Sequence, residues 1–275
     1  MRIIGSALVH NEDVFVEQAI RNVAQFCDRI FVVDHMSSDR TPEILRALAR
    51  EFDHLELRRA RHSRVSHELL EPYIGTETWV LRVDGDELYD PGGLGQMRES
   101  LESGAHDGAF RLLGNVLHVV ELDDERRIAS GYLSPPSRPI SALYNLAALE
   151  SWSGGPERLH AGHIVYRGGY NWHSFDRVYE RFAWNESPLR CLHVCFLRRS
   201  SRNGSAGSRG NLGELGMYRR SAFGRVERAV RRFAGRPAGD PAQVEMRARN
   251  SSWKDEKYRR GELVTVDASA FVPAA

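Results

Sequence analysis

The residues of this chain best suited to chemistry are Asp84, Asp86 and Glu87, three acids in four positions around Gly85. Like charges this close repel one another and are costly to bury without a partner. A hard divalent cation is the natural partner, because carboxylate oxygens suit Mg2+ or Mn2+. One or two protein carboxylates together with substrate phosphates is the usual way Mg2+ is held. Gly85 lets the backbone turn or approach a ligand closely. The plain alternative is an acidic turn that leads into a helix begun by Asp90-Pro91.

The acids end an apolar run, Trp79-Val80-Leu81-Arg82-Val83, that reads as a buried strand. Three strands are expected before it, at Ile3 to Val9, Arg29 to Asp34 and Leu55 to Leu57. Between them, Val14, Phe15, Ala19, Ile20, Val23 and Phe26 recur at helical spacing. Asn11 or Asp13 is the expected cap of that helix, and Thr41-Pro42 the expected start of the next, with threonine as cap. Residues His62 to Ile74 read as a further helix. Strands alternating with helices imply a parallel sheet with right-handed crossovers. Ligands of such sheets bind outside the carboxyl ends of the strands. Asn11-Glu12, Asp34 and Asp84-Asp86 all fall at such ends.

Composition bounds the function. Hydrophobic content is 41%, charged content 27% and net charge +1, values of an ordinary globular protein. No global field favours nucleic acid or a membrane surface. The base is almost all arginine, the lysines being Lys254 and Lys257. Cys27, Cys191 and Cys195 are too few for a disulfide scaffold and point to a reducing, cytoplasmic setting. The opening residues carry no secretory signal pattern, and no apolar run is long enough to span a bilayer.

Val9-His10-Asn11-Glu12, the run I-F-V-V-D-H-M-S-S-D-R-T from Ile30 to Thr41, and V-D-G-D-E from Val83 together resemble the glycosyltransferase family 2 pattern. The likeness covers roughly residues 1–105. It implies an α/β fold of the GT-A type, a mostly parallel Rossmann-like sheet flanked by helices, binding a nucleoside diphosphate sugar. By that resemblance Val9, Asn11, Glu12 and Asp34 lie near the nucleoside, and Asp84 and Asp86 at the metal and ribose. Many members carry a second acid where this chain has His35. Asp39 is read as closing its loop or capping a helix, not as touching ligand. The implied reaction moves a sugar to an acceptor hydroxyl on a small molecule or glycan, with Mn2+ or Mg2+ and with inversion. A sugar-phosphate nucleotidyltransferase shares the architecture but normally has a glycine-rich basic loop where His10-Asn11-Glu12 stands. A phosphatase, or a non-catalytic carbohydrate-binding protein on the same fold, also remains open.

The division expected is 1–105 for donor binding, 106–199 for the acceptor half, 200–216 for a lid loop and 217–275 for a helix and docking tail. Gly108 to Leu122 and Leu159 to Tyr166 read as strands, and Trp172 to Asp176 as the lead into a helix. Asp176 either caps that helix or serves as the base of an inverting enzyme, with Glu157 or Glu150 as substitutes. Trp152, Tyr170, Trp172 and Trp184 are either packing residues or platforms for sugar rings. On a strand, Cys191, His193 and Cys195 share a face; buried free cysteines are the default reading, and a zinc site needs a fourth ligand. Many GT-A enzymes add a late histidine to the catalytic metal, for which His193 is the first candidate and His160 the second. Arg198, Arg199 and Arg202 open the segment expected to close over the diphosphate.

Overall fold

A computed structural model describes residues 1–134, 142–202 and 258–273. The expected lid beyond Arg202, the basic helix at 217–234 and the proline-rich loop at 135–140 lie outside the described residues.

The first strand, β1 (Arg2–Val9), is buried along almost its whole length. It is followed by α1 (Val16–Ala24), β2 (Arg29–Asp34), α2 (Thr41–Glu51) and β3 (Leu55–Arg59). A single turn, α3 (Val65–Glu68), and a 3-10 turn at Glu71–Tyr73 stand where one longer helix is expected from the sequence. Pro72 removes an amide donor there. Then come β4 (Thr78–Val83), β5 (Glu87–Tyr89) and α4 (Pro91–Glu102), the last capped by Asp90, whose carboxylate accepts from Gly92 N at 2.9 Å.

The expected strand Gly108–Leu122 is two strands, β6 (Arg111–Leu113) and β7 (Asn115–Asp123), and they belong to different sheets. Gly114 is the crossing point, and a Cβ there would strike the Leu189 carbonyl and side chain. After β8 (Ile128–Ser134) the chain forms β9 (Ala142–Asn145), β10 (Leu149–Ser153), β11 (His163–Tyr166) and β12 (Phe175–Arg177). Leu159 and Ala161 have positive φ, so the expected strand begins at His163 instead of Leu159. The turn α5 (Val178–Arg181), β13 (Arg190–His193) and β14 (Leu263–Asp267) complete the elements.

A seven-stranded sheet runs β12-β6-β9-β4-β1-β2-β3, with β4, β1, β2 and β3 parallel. Neighbouring residues of these strands serve opposite faces. Ile3, Ala7 and Val9 pack with α1, α2 and α4, while Ile4, Phe31 and Val80 pack with Phe110, Tyr144 and Trp152. A five-stranded sheet runs β14-β8-β7-β13-β5. The acidic turn Asp84–Asp86 joins β4 of the first sheet to β5 of the second, so it lies at the seam between them. Among the described residues, no helix is long and apolar enough to cross a membrane.

Candidate functional site

Strand register assembles the site. Val9 pairs with Asp34, Asp34 with Arg59, and Ala7 with Val83. Two residues further along β4, Gly85 therefore stands beside Val9. A Cβ on Gly85 would fall onto the Glu12 carboxylate and within 3.2 Å of Val9 Cγ1. A side chain at position 85 would therefore have to displace the Glu12 carboxylate.

The loops after β1 and β2 are stapled together. Asn11, at φ 54°, donates its amide to Ser37 Oγ at 2.9 Å, and its side-chain oxygen accepts from Ser38 N at 2.8 Å. Asn11 and Asp13 therefore do not cap α1, which has no side-chain cap; Asp13 instead accepts from Ser201 N at 2.7 Å. Thr41 is the first helical residue of α2 and not its cap. Its hydroxyl accepts from Glu12 N at 2.8 Å, while Asp39 accepts from Thr41 N at 3.0 Å and from Ser200 Oγ at 2.6 Å. Asp34 is buried, accepting from Ser37 N at 2.9 Å and facing Arg59 Nε at 3.2 Å. His35 is also buried; its amide donates to Val9 O at 2.8 Å and its Nδ1 lies 3.1 Å from Ala60 O. A groove of about 640 Å³ opens over this end of the sheet, lined by Ser37, Ser38, Arg40, Arg59, Ser201 and Arg202 among others.

The acids of the turn part company. Asp84 pairs with Arg158 and lies 3.9 Å from Arg82 Nη2. Burial works against its charge, but Arg158 and Arg82 hold its carboxyl below the usual carboxylate range. Arg158 is itself buried, donating from Nη1 to Val83 O at 2.7 Å. Asp86 points to the other side, where it pairs with Arg199 and faces His193 Nε2 at 3.6 Å. Arg199 Nη1 also lies 3.8 Å from Glu12 Oε1. A buried guanidinium therefore stands between the carboxylates of Glu12 and Asp86. Glu87 is pushed up to about 7, first by burial and then by Asp84, with His193 and Arg82 opposing. Its Oε2 accepts from Tyr89 Oη at 3.3 Å.

His193 is brought to Asp86, whereas His160 is exposed in a turn closed by its own pairing with Glu157. Burial opposes charge on His193, but Cys195 and Asp86 raise its pKa well above the usual histidine range. Arg198 turns back on its own segment, donating from Nε to Ser200 O at 3.0 Å. Glu157 is half-buried next to Arg158, and its charge acts on both Arg158 and Arg82.

Asp176 is not brought to this cluster. It lies in β12 and caps no helix, and its carboxylate is held by His106 Nδ1 and Arg181 Nη2, each at 2.8 Å. It pairs with Leu112, which pairs with Leu143, which pairs with Leu81. Three strand spacings separate it from β4, about 14 Å. Glu150 is exposed on β10. Of the four aromatics, Trp152 is core and Trp184 stacks on Phe271 at 5.7 Å. Tyr170 Oη donates to Asp107 O at 2.6 Å. Trp172 is 45% exposed, with the Arg111 guanidinium 3.9 Å from its ring centre.

Arg158 and His118 escaped the sequence reading. Arg158 has no local signal, since its partner lies 74 positions earlier. His118 alternates correctly with the core residues of β7, but its pairing with His193 appears only through the β7–β13 register.

Parallel strand ends that gather acids and arginines beside a groove are the place where an α/β sheet of this kind receives ligands. Residues 8–113, under half of the chain, match the model of glycosyl transferase family 2. No curated protein matches the chain. Among solved structures, it is similar to S. aureus TarS, with 14% identity and a TM-score of 0.37 over 56% of this chain and 30% of that one. It is also similar to the mannosyltransferase PcManGT from Pyrobaculum calidifontis, solved with GDP-Man and Mn2+, with 13% identity and a TM-score of 0.37 over 92% and 80% of the two chains. A UDP-glucose pyrophosphorylase is similar at 10% identity, with a TM-score of 0.31 over 61% and 90%. The chain thus spans less than a third of the length of TarS.

Proposed function

We propose that this enzyme moves a sugar from a nucleoside diphosphate sugar to an acceptor hydroxyl of a small molecule or glycan, with inversion and with Mn2+ or Mg2+. One observation carries the reading. The ends of β1, β2 and β4 align Asp34, Glu12 and Asp86 beside the groove, and a cationic group, Arg199, already stands between Glu12 and Asp86. A carboxylate pair that accepts a buried guanidinium carries the oxygen donors and negative charge that a divalent ion also requires. Asp86 and Glu12, on either side of Arg199, would hold that ion, which would supply positive charge to the leaving diphosphate, whereas Asp84 is turned to Arg158.

The protein's own groups do the rest. Asp34 and the stapled loops of Asn11 and Val9 shape the nucleoside end, with Asp34 fixed by Arg59. Arg202, which lines the groove, and Arg199, at Asp86, are assigned to the diphosphate, where charge-assisted contacts are worth about 1.5–3 kcal/mol each. Glu157, beside the Asp84–Arg158 pair, is assigned as the base that takes the acceptor's proton; Asp176 is engaged too far away. The three cysteines are buried and free, which supports a reducing, cytoplasmic setting as part of this reading.

Calorimetric titration of GDP and UDP with and without Mn2+ tests the reading. Metal-dependent affinity should be present and should vanish in Asp86→Asn with the fold intact. Equal affinity in variant and parent overturns the metal assignment.

A further inference from the structure

Behind the acidic turn lies a second constellation with different chemistry. His193 of β13 pairs in register with His118 of β7 on one side and with Glu87 of β5 on the other. Both imidazoles are buried on the same face, and Cys195 follows two residues after His193. His118, His193 and Cys195 each offer one ligand atom within 4.8 Å of the others. The two Nδ1 atoms are 3.0 Å apart. Two nitrogens bound to one tetrahedral ion at about 2.0–2.1 Å are separated by about 3.3–3.4 Å, so a movement of a few tenths of an ångström suffices. The ring of Tyr258 closes over the pair, with its centre 4.6 Å from that of His118 and 5.2 Å from that of His193.

We propose that His118, His193 and Cys195 form a site for a borderline transition-metal ion of the Zn2+ class, distinct from the carboxylate site at Glu12 and Asp86. Two nitrogens and a sulfur select zinc, cobalt or a similar ion over Mg2+ or Mn2+, which prefer oxygen. Three protein ligands leave a fourth position for a water. His193 presents Nδ1 to His118 and Nε2 to Asp86 Oδ2 at 3.6 Å. A carboxylate behind the far nitrogen is the usual support of a metal-bound histidine, and it orients the ring and raises ligand basicity. Asp86 is thereby shared, facing Arg199 on one side and supporting His193 on the other. On binding, the thiol gives up its proton to solvent and both imidazoles bind neutral, so one proton is released from sulfur and any imidazolium proton with it.

The full-length protein, stripped with a chelator and titrated with Co2+ alone, tests this. One equivalent should produce a near-ultraviolet thiolate-to-cobalt charge-transfer band and tetrahedral visible bands. Zn2+ should bleach them and Mg2+ should not. Cys195→Ser should abolish the thiolate band, while Cys191→Ser, a buried thiol outside the cluster, should keep it. Asp86→Asn should keep the band but weaken Co2+ binding about 10–100-fold. An absent thiolate band in the parent protein overturns the proposal, as does a band that survives Cys195→Ser. A nucleoside diphosphate titration in Mn2+ on the same Cys195→Ser protein reads the carboxylate site separately, so the two assignments fail independently.

Discussion

Replacing Arg199 by methionine removes the positive charge that stands between Glu12 and Asp86 while keeping much of the side chain's volume. At 3.8 Å and an effective dielectric constant of about 20, the Glu12 contact alone corresponds to about 4 kcal/mol of attraction. Taking one partner from a buried ion pair generally costs about 3–5 kcal/mol, because the other charge stays buried without compensation. Arg199 has only 11% of its side chain exposed, so solvent screens little of this. In chelator, Arg199→Met should therefore lose about 3–5 kcal/mol in urea unfolding. Mn2+ at a hundredfold excess over its dissociation constant stabilises the folded state by about 2.7 kcal/mol. In the variant that ion no longer competes with the guanidinium, so Mn2+ affinity should rise and the stability gap should narrow to under about 2 kcal/mol. Arg199→Lys should fall between the two. The assay is paired urea melts with and without Mn2+, together with calorimetric Mn2+ titration. An equal loss in both conditions would show that Arg199 acts through packing alone, and no loss in chelator would refute the ion-pair argument.

Glu87→Gln should stabilise the metal-free protein by up to about 3 kcal/mol above pH 7. The native carboxyl, held up to about 7, keeps its proton while the unfolded one ionises near the ordinary value. Glu87 therefore contributes a penalty that is absent below about pH 4.5, grows as pH rises towards 7 and is constant beyond; a pH-independent difference in urea melts from pH 4 to 8 would contradict this. Gly85→Ala should displace the Glu12 carboxylate and lower nucleoside diphosphate affinity at least tenfold by calorimetry, since overpacking of this kind costs about 1–3 kcal/mol. Glu157→Gln should lower kcat at least about a hundredfold in a donor-sugar assay. Asp176→Asn should leave kcat near the parent value and lower the thermal midpoint, through the lost contacts to His106 and Arg181; a large fall in kcat with an intact fold would return the base to Asp176.

The order of the first four strands, the helix faces of α1 and α2 and the strand-end position of Asn11-Glu12, Asp34 and Asp84-Asp86 were legible in the chain itself. Those features are local: hydrophobic period, turn residues and the rule that a parallel sheet presents its carboxyl ends to ligand. Gly85 carried part of its meaning as well, although what approaches it in the structure is the Glu12 carboxylate. Pairing over long separations was not legible. The break at Gly114 depends on Leu189 occupying the space beside it. The split of Asp84 towards Arg158 and Asp86 towards Arg199 depends on two distant segments, the β10–β11 connection and the stretch after β13, reaching the turn. Asp176 looked suited to be a base because sequence distance says nothing of lateral distance across strands. His118 meets His193 only because β7 and β13 run parallel in one register. Local pattern therefore determined which residues end strands, and tertiary register decided which of those ends share a charge.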